Sequence, residues 1–390
     1  MQILFWISLF LIVYTFVGYG LLLYVLLKIK RAVSGHKKVP DVPFGDLPAC
    51  TLVVAAYNEA PLLEEKIANT LQLHYPPGKL RFIFVTDGST DGSNEVVSAY
   101  PQIRLLHQSA RAGKIAAVHR AMKEVDTEIV AFTDANTFLN ADALVNICRH
   151  YADRTVGAVA GEKRVMMEAE DDASAAGEGF YWKYESKLKA WDSELYSVVG
   201  AAGELFSVRR ELYEPVPPDT ILDDFMISMN IAGQGYRIIY EPEAYAMERA
   251  SADVGEELKR KIRIAAGGIQ SVVRLSRLLL PFRFPVLTFQ YISHRVLRWT
   301  LTPILLLLVF VLNTVFMIQR TGLLYDIIFA GQLFFYGLAL MGFVLERRQL
   351  KIKIAFIPYY FCMMNYAVLA GTLRYLKGNQ AAAWEKAKRK

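Results

Sequence analysis

The stretch LRFIFVTDGSTDGS, residues 80–93, decides how the rest of the chain is read. An apolar, β-rich run passes through Val85 into two aspartates, two glycines and no further large side chain. A strand that ends this way either turns back or presents oxygens to a ligand. Asp, Gly and Ser suit a plain turn, because they tolerate unusual backbone angles and bond their own backbone. What separates the two readings is whether neighbouring strands end alike. CTLVVAA (50–56), IRLL (103–106), EIVAFT (128–133) and VGAVAG (156–161) read as further buried strands, while PLLEEKIANTLQL and KIAAVHRAMKEV repeat apolar residues at helical spacing. Such alternation predicts an α/β fold, a mostly parallel sheet with helices on both faces. In such sheets ligands bind beyond the carboxyl ends of the strands. Three polar clusters fall there: Tyr57, Asn58 and Glu59 after the first strand, Asp87 after the second, and Asp134 with Asn136 after the fourth. A plain turn at Asp87 predicts no such matching set.

The composition is too apolar for an ordinary soluble enzyme of 390 residues: 54% of the chain is hydrophobic and the mean hydropathy is +0.24. Residues 3–27 carry no charge over 25 positions, enough to cross the roughly 30 Å hydrocarbon core. The stretch lacks the short core and small-residue cleavage site of a secretory signal, so no removal is expected. Lys28, Lys30, Arg31, Lys37 and Lys38 follow it, and positive charge at a span end marks the cytoplasmic side. Residues 300–318, 323–345 and 354–373 are three further candidate spans. The link ERRQLKIK is basic and reads as cytoplasmic, as does the tail RYLKGNQAAAWEKAKRK. Four crossings would leave that tail on the other side. The segment that a re-entrant path would suit is 354–373, which holds Pro358 and Asn365. Four spans is the reading adopted.

The domain limits that follow are a membrane helix over 1–28, a cytosolic domain over 29–274, an interfacial segment over 275–298, a membrane region over 299–376 and a basic tail over 377–390. Cys50, Cys148 and Cys362 show no CxxC spacing and no neighbouring His cluster, which argues against a disulfide framework or a zinc site. A channel or transporter would need ionisable residues inside its spans, and only Asp326, near an edge, qualifies. No nucleic-acid partner is expected.

AAYNEA, HYPPGKLRFIFVTDGSTDGS, RAGKIAAV, TDAN, GAAGELFSVRR and ILDDF occur in this order over roughly residues 48–300. In order and spacing they resemble the membrane-embedded family 2 glycosyltransferases, a group that includes cellulose, hyaluronan and poly-N-acetylglucosamine synthases. The resemblance implies a GT-A (Rossmann-like) fold and transfer of a sugar from a nucleotide diphosphate donor with inversion. It also implies Mg²⁺ or Mn²⁺ against the diphosphate, since these ions prefer carboxylate oxygen. Asp134 is then the ligand, but the family's DxD is here Asp134-Ala135-Asn136, which replaces one charge with an amide oxygen. Asp87 matches the aspartate that contacts the nucleoside, with Tyr57 and Glu59 lining the same pocket. Lys114 is placed to meet the phosphates as a point charge. UDP is the nucleotide the resemblance favours.

An acceptor hydroxyl is a poor nucleophile and needs a base. ILDDF offers Asp223 and Asp224; alignment with the family's ED motif makes Asp224 the base and leaves Asp223 to position its neighbours. An N-cap is the competing use of such a pair. GAAGELF (200–206) would form the acceptor-facing turn, with Gly203 admitting close approach and Glu204 nearby. Processive members carry QxxRW about 35 to 40 residues after the base motif. This chain has Arg260-Lys261-Ile262-Arg263-Ile264 there, so Arg263 can still meet the diphosphate, but Ile264 stands where the Trp would be. RVLRW (295–299) abuts a candidate span and reads as an interfacial anchor, with His294 an interfacial polar residue. The sequence therefore points to transfer of one or a few sugars to a lipid-linked or envelope glycan at the cytoplasmic face of the inner membrane. A processive synthase and a catalytically silent scaffold are the alternatives.

Overall fold

In the computed structural model, residues 1–35, 39–166, 174–249, 254–348 and 352–378 are described; Lys37, Lys38, Lys351 and the tail from 379 onward lie outside these. Eight strands form one sheet: β1 (Cys50–Ala56), β2 (Leu80–Asp87), β3 (Ile103–Gln108), β4 (Ile129–Asp134), β5 (Thr137–Leu139), β6 (Val156–Met166), β7 (Leu205–Arg209) and β8 (Arg237–Arg249). Their order is β3-β2-β1-β4-β7-β6-β8-β5. The first four are parallel, as the alternating pattern predicts. Beyond β4 the sheet is mixed: β7 runs antiparallel to both β4 and β6, and β8 is parallel to β6 but antiparallel to β5.

The apolar strand runs are continuous because both faces are covered. Val53, Val85, Val130 and Phe132 pack on one side with Ile115, Val118, Met226 and Met229. Leu52, Val54, Phe84 and Ala131 pack on the other with Leu63, Ile67 and Ile147. Successive side chains on a strand point to opposite faces, so each strand feeds both layers. The helices Lys114–Met122 and Asp223–Gly233 belong to the first layer, and Ala60–Leu71 and Ala143–Cys148 to the second.

Among the described residues, four helices are long and apolar enough to cross a membrane: Gln2–Ser34, Leu301–Ile318, Leu323–Arg347 and Ile354–Leu376. They coincide with the four segments read from sequence. Pro358 does not interrupt the last of them. Phe5 and Ile12 of the first helix pack against Leu305, Val309, Leu312 and Phe316 of the second. The last helix lies on Val254–Arg274, where a side chain at Gly371 would meet the backbone at Ala266 at 2.8 Å.

The segment 275–298 divides. Leu280 and Phe282 face outward, the latter 96% exposed, whereas Leu287, Gln290, Tyr291 and His294 are buried. His294, read from sequence as an interfacial polar residue, is instead wholly buried, whereas the residues of RVLRW are half-buried. Basic and aromatic residues beside an apolar span fit either location by composition, and only the fold decides between them.

Candidate active site

The order β2-β1-β4 sets Asp87, Tyr57 and Asp134 side by side at one sheet edge. Ala56 pairs with Thr86, the residue before Asp87, and Ala55 pairs with Asp134. Two adjoining cavities open there. One, of about 270 Å³, is lined by Tyr57, Asp87, Arg111, Gly113 and Lys114. The second, of about 250 Å³, is lined by Lys114, Thr133, Asp134, Gly203, Phe206 and Asp223. Lys114, the first residue of its helix, borders both.

In the first cavity the Arg111 guanidinium lies over the Tyr57 ring, 3.8 Å from its centroid. Asp87 is 4% exposed. Its Oδ2 accepts hydrogen bonds from the backbone N–H groups of Ala112 and Gly113, at 2.9 and 2.6 Å. Its Oδ1 is buried and accepts none, with Arg120 Nη2 at 3.5 Å. A buried carboxylate oxygen left in this way is costly, and a ligand N–H would satisfy it. Glu59 precedes the helix Ala60–Leu71, buried, with its own N–H bonded to Ser93 Oγ. It is not among the residues lining the cavity.

In the second cavity Lys114 Nζ is 2.8 Å from Asp134 Oδ1 and 3.7 Å from Asp223 Oδ2. Burial works to lower this lysine's pKa, but Asp134 and Asp223 outweigh it and hold the ammonium charged. Burial likewise pushes the Asp134 carboxyl up, against the pull of Lys114. Asp223 and Asp224 open the helix Asp223–Gly233, so the pair meets the positive end of a helix as well as the lysine. Burial, and then the charge of Asp223, push the Asp224 carboxyl up to about 7.

Gly203 borders this pair. A Cβ there would stand 3.3 Å from Asp224 Oδ2 and 3.5 Å from Lys114 Nζ. Glu204 turns to Lys163, 2.6 Å away; burial would raise its pKa, but Lys163 overrides this and holds it low. Arg263 stands half-buried on the helix Val254–Arg274. Gln270 ties that helix to the segment before Asp223, accepting from Ile221 N–H at 3.0 Å. Arg111, Arg120 and Lys163 were not anticipated as site residues. Arg111 stands three residues before Lys114 in RAGK, and that motif was the available signal.

Asn136 is buried two residues past Asp134. No cluster of three or more His, Cys, Asp or Glu side chains that could hold a metal occurs among the described residues. A divalent ion is therefore compatible with this edge only if it takes most of its ligands from a bound diphosphate, with one carboxylate oxygen from Asp134 and the amide oxygen of Asn136. Asp134 gives one oxygen to Lys114 and retains another for such an ion, whereas buried Asn136 is not among the residues lining the cavity.

Two adjoining cavities at the carboxyl edge of a GT-A-like sheet, with carboxylates around one lysine, form the candidate site. Residues 51–216 match the family described as Glycosyl transferase family 2. The chain is 26% identical over 247 residues to a poly-beta-1,6-N-acetyl-D-glucosamine synthase of Staphylococcus aureus, covering 61% of this chain and 58% of that protein. It is 28% identical over 203 residues to a beta-monoglucosyldiacylglycerol synthase of Nostoc sp., covering 48% of this chain and 42% of that protein. The chain thus spans less than two thirds of the length of these curated relatives. Among solved structures, a mannosyltransferase from Pyrobaculum calidifontis, in complex with GDP-Man and Mn²⁺, superposes with a TM-score of 0.72 at 26% identity, covering 97% of this chain and 100% of that one. Residues 51–216 thus carry a Glycosyl transferase family 2 domain within a GT-A-like fold.

Proposed function

We propose that this glycosyltransferase moves a sugar, with inversion, from a nucleotide diphosphate donor to a lipid-linked or cell-envelope glycan at the cytoplasmic face of the membrane. The observation that carries the reading is Asp224: a carboxylate with a raised pKa, bordering the Gly203 turn and one lysine away from Asp134. A base is most effective when its pKa lies near the working pH.

The nucleoside would occupy the Tyr57–Arg111 cavity, where Asp87 Oδ1 suits a ring N–H such as that of uracil or guanine. Lys114 would neutralise the diphosphate, and Asp224 would take the proton of the attacking hydroxyl as its oxygen bonds to the anomeric carbon. A divalent ion held by Asp134 and Asn136 would supply charge neutralisation of the leaving diphosphate. Leu280 and Phe282, flanked by Arg277 and Arg283, suit contact with a lipid surface beside the candidate spans. Ile264 in place of Trp favours transfer of one or a few sugars, whereas likeness to a polysaccharide synthase favours repeated transfer.

The test is a donor screen on the full chain in lipid nanodiscs. UDP-glucose, UDP-N-acetylglucosamine and GDP-mannose are each supplied with Mn²⁺ or chelator. Nucleotide release is followed, and labelled lipids are identified by mass. A UDP-sugar is expected to be consumed and to leave a singly or shortly extended lipid. Consumption of GDP-mannose alone refutes the UDP assignment. A ladder reaching high polymer from single encounters refutes limited transfer, and no turnover with any donor favours the scaffold.

A further inference from the structure

Trp299 ends a short helix, Leu297–Trp299, just before the apolar helix Leu301–Ile318. Its indole meets the Phe225 ring edge to face, centroids 5.2 Å apart. A Cβ on Gly268 would lie 2.7 Å from the indole, so glycine is what lets the ring rest on the helix Val254–Arg274. Phe225 is seated in the same manner on a second glycine. Gly200 has φ +82°, and a Cβ there would be 2.1 Å from the Phe225 ring. Phe225 directly follows Asp224, whose carbonyl accepts from Ser228 Oγ at 2.7 Å, and that hydroxyl in turn accepts from Ala201 N–H at 2.9 Å. The Phe225 ring, at the start of the base-bearing helix, thus packs against the Gly200 turn, Tyr291 and the Trp299 indole.

The indole is fixed in its turn. The Arg295 guanidinium lies 5.8 Å from the centroid of its ring. Arg295 and Arg298 both pair with buried Glu185, at 2.8 and 2.9 Å. His294, wholly buried, bridges Glu185 and Asp192, and Asp192 accepts from the Tyr19 hydroxyl of the N-terminal apolar helix. Two π-helical turns, Tyr14–Gly18 and Ile292–Val296, meet at this junction through Tyr14 Oη and Ser293 Oγ, 2.7 Å apart.

We propose that Trp299 is a positioning residue: through Phe225 it fixes the pose of Asp224 against the acceptor, from a segment tied to the N-terminal apolar helix. The inference rests on Asp224 being the base. A misplacement of about 1 Å at a reacting group can cost about 10²-fold, and Trp299→Ala would empty the space against which Phe225 sits. The Tyr57–Arg111 cavity, lined by residues of other elements, would be left as it is.

The test is a double-mutant cycle on the full chain in nanodiscs, read by nucleotide release from whichever of the three sugar nucleotides is turned over. Trp299→Ala is expected to lower kcat about 10- to 100-fold with donor KM unchanged within about twofold, and Trp299→Phe to restore most of it. In an Asp224→Asn background, Trp299→Ala should cost nothing more, because groups acting as one unit are not additive. The same loss in both backgrounds, or a raised donor KM at unchanged kcat, overturns the proposal. If Trp299→Ala does not fold, Trp299→Leu carries the same cycle. Full activity of Asp224→Asn alone would sink the base assignment and this inference together, whereas additivity on an impaired Asp224→Asn enzyme sinks the inference only.

Discussion

Replacing Asp224 with Asn removes a proton acceptor and keeps its shape. General-base catalysis of this kind contributes about 10² to 10⁴ in rate, which is about 2.7 to 5.5 kcal/mol of transition-state stabilisation. Turnover of Asp224→Asn should fall by that factor while calorimetric donor affinity stays within about twofold, since the Asp87 and Lys114 contacts are untouched. The wild-type pH profile adds a second measure. The base works only when ionised, and burial together with Asp223 raises its pKa to about 7. Activity should therefore fall about tenfold per pH unit below that value. Asp223→Asn removes one of the causes, so its acid limb should move to lower pH. A limb that moves upward in Asp223→Asn refutes the electrostatic reasoning. Retained activity in Asp224→Asn with loss in Asp223→Asn reverses the roles within the pair.

Asp134→Ala should weaken UDP binding in the presence of Mn²⁺ or Mg²⁺; calorimetry giving equal affinity with metal, with chelator and in the mutant would contradict the metal site. Lys114→Met leaves Asp134 and Asp223 buried without their cation. Breaking such a pair costs about 3 to 5 kcal/mol, so the melting temperature should fall clearly and donor affinity with it, whereas an unchanged melt would show that Lys114 holds neither.

The parallel half of the sheet was legible because its strands are covered on both faces and therefore apolar without a break, as in CTLVVAA and EIVAFT. The site followed from one geometric rule: adjacent strands that end in Tyr57, Asp87 and Asp134 share an edge. Strands β5, β7 and β8 were not read as strands. β8 carries Pro242 and charged residues along its length, and β7 emerges straight from the glycine turn that was assigned to the acceptor side. Glu204 was legible as a position but not as half of an ion pair, because its partner Lys163 is 41 residues away on another strand.

Trp299 shows where linear spacing stops being informative. The family's Trp position holds Ile264, and Gly268 follows about one helical turn later, so the two share a face of the helix Val254–Arg274. An indole does reach that face, but it arrives from residue 299 and rests on Gly268. Adjacency to an apolar span argued for an interfacial anchor, since aromatic and basic residues collect at that depth. The ion cluster on Glu185 and the fit against Phe225 hold the half-buried ring against the protein. A ring engaged by a glycine backbone on one helix and a phenylalanine on another has less area to offer a sliding polymer than an open platform would. The chain keeps an aromatic beside the proposed base, and its setting favours holding Asp224 over gripping a long product.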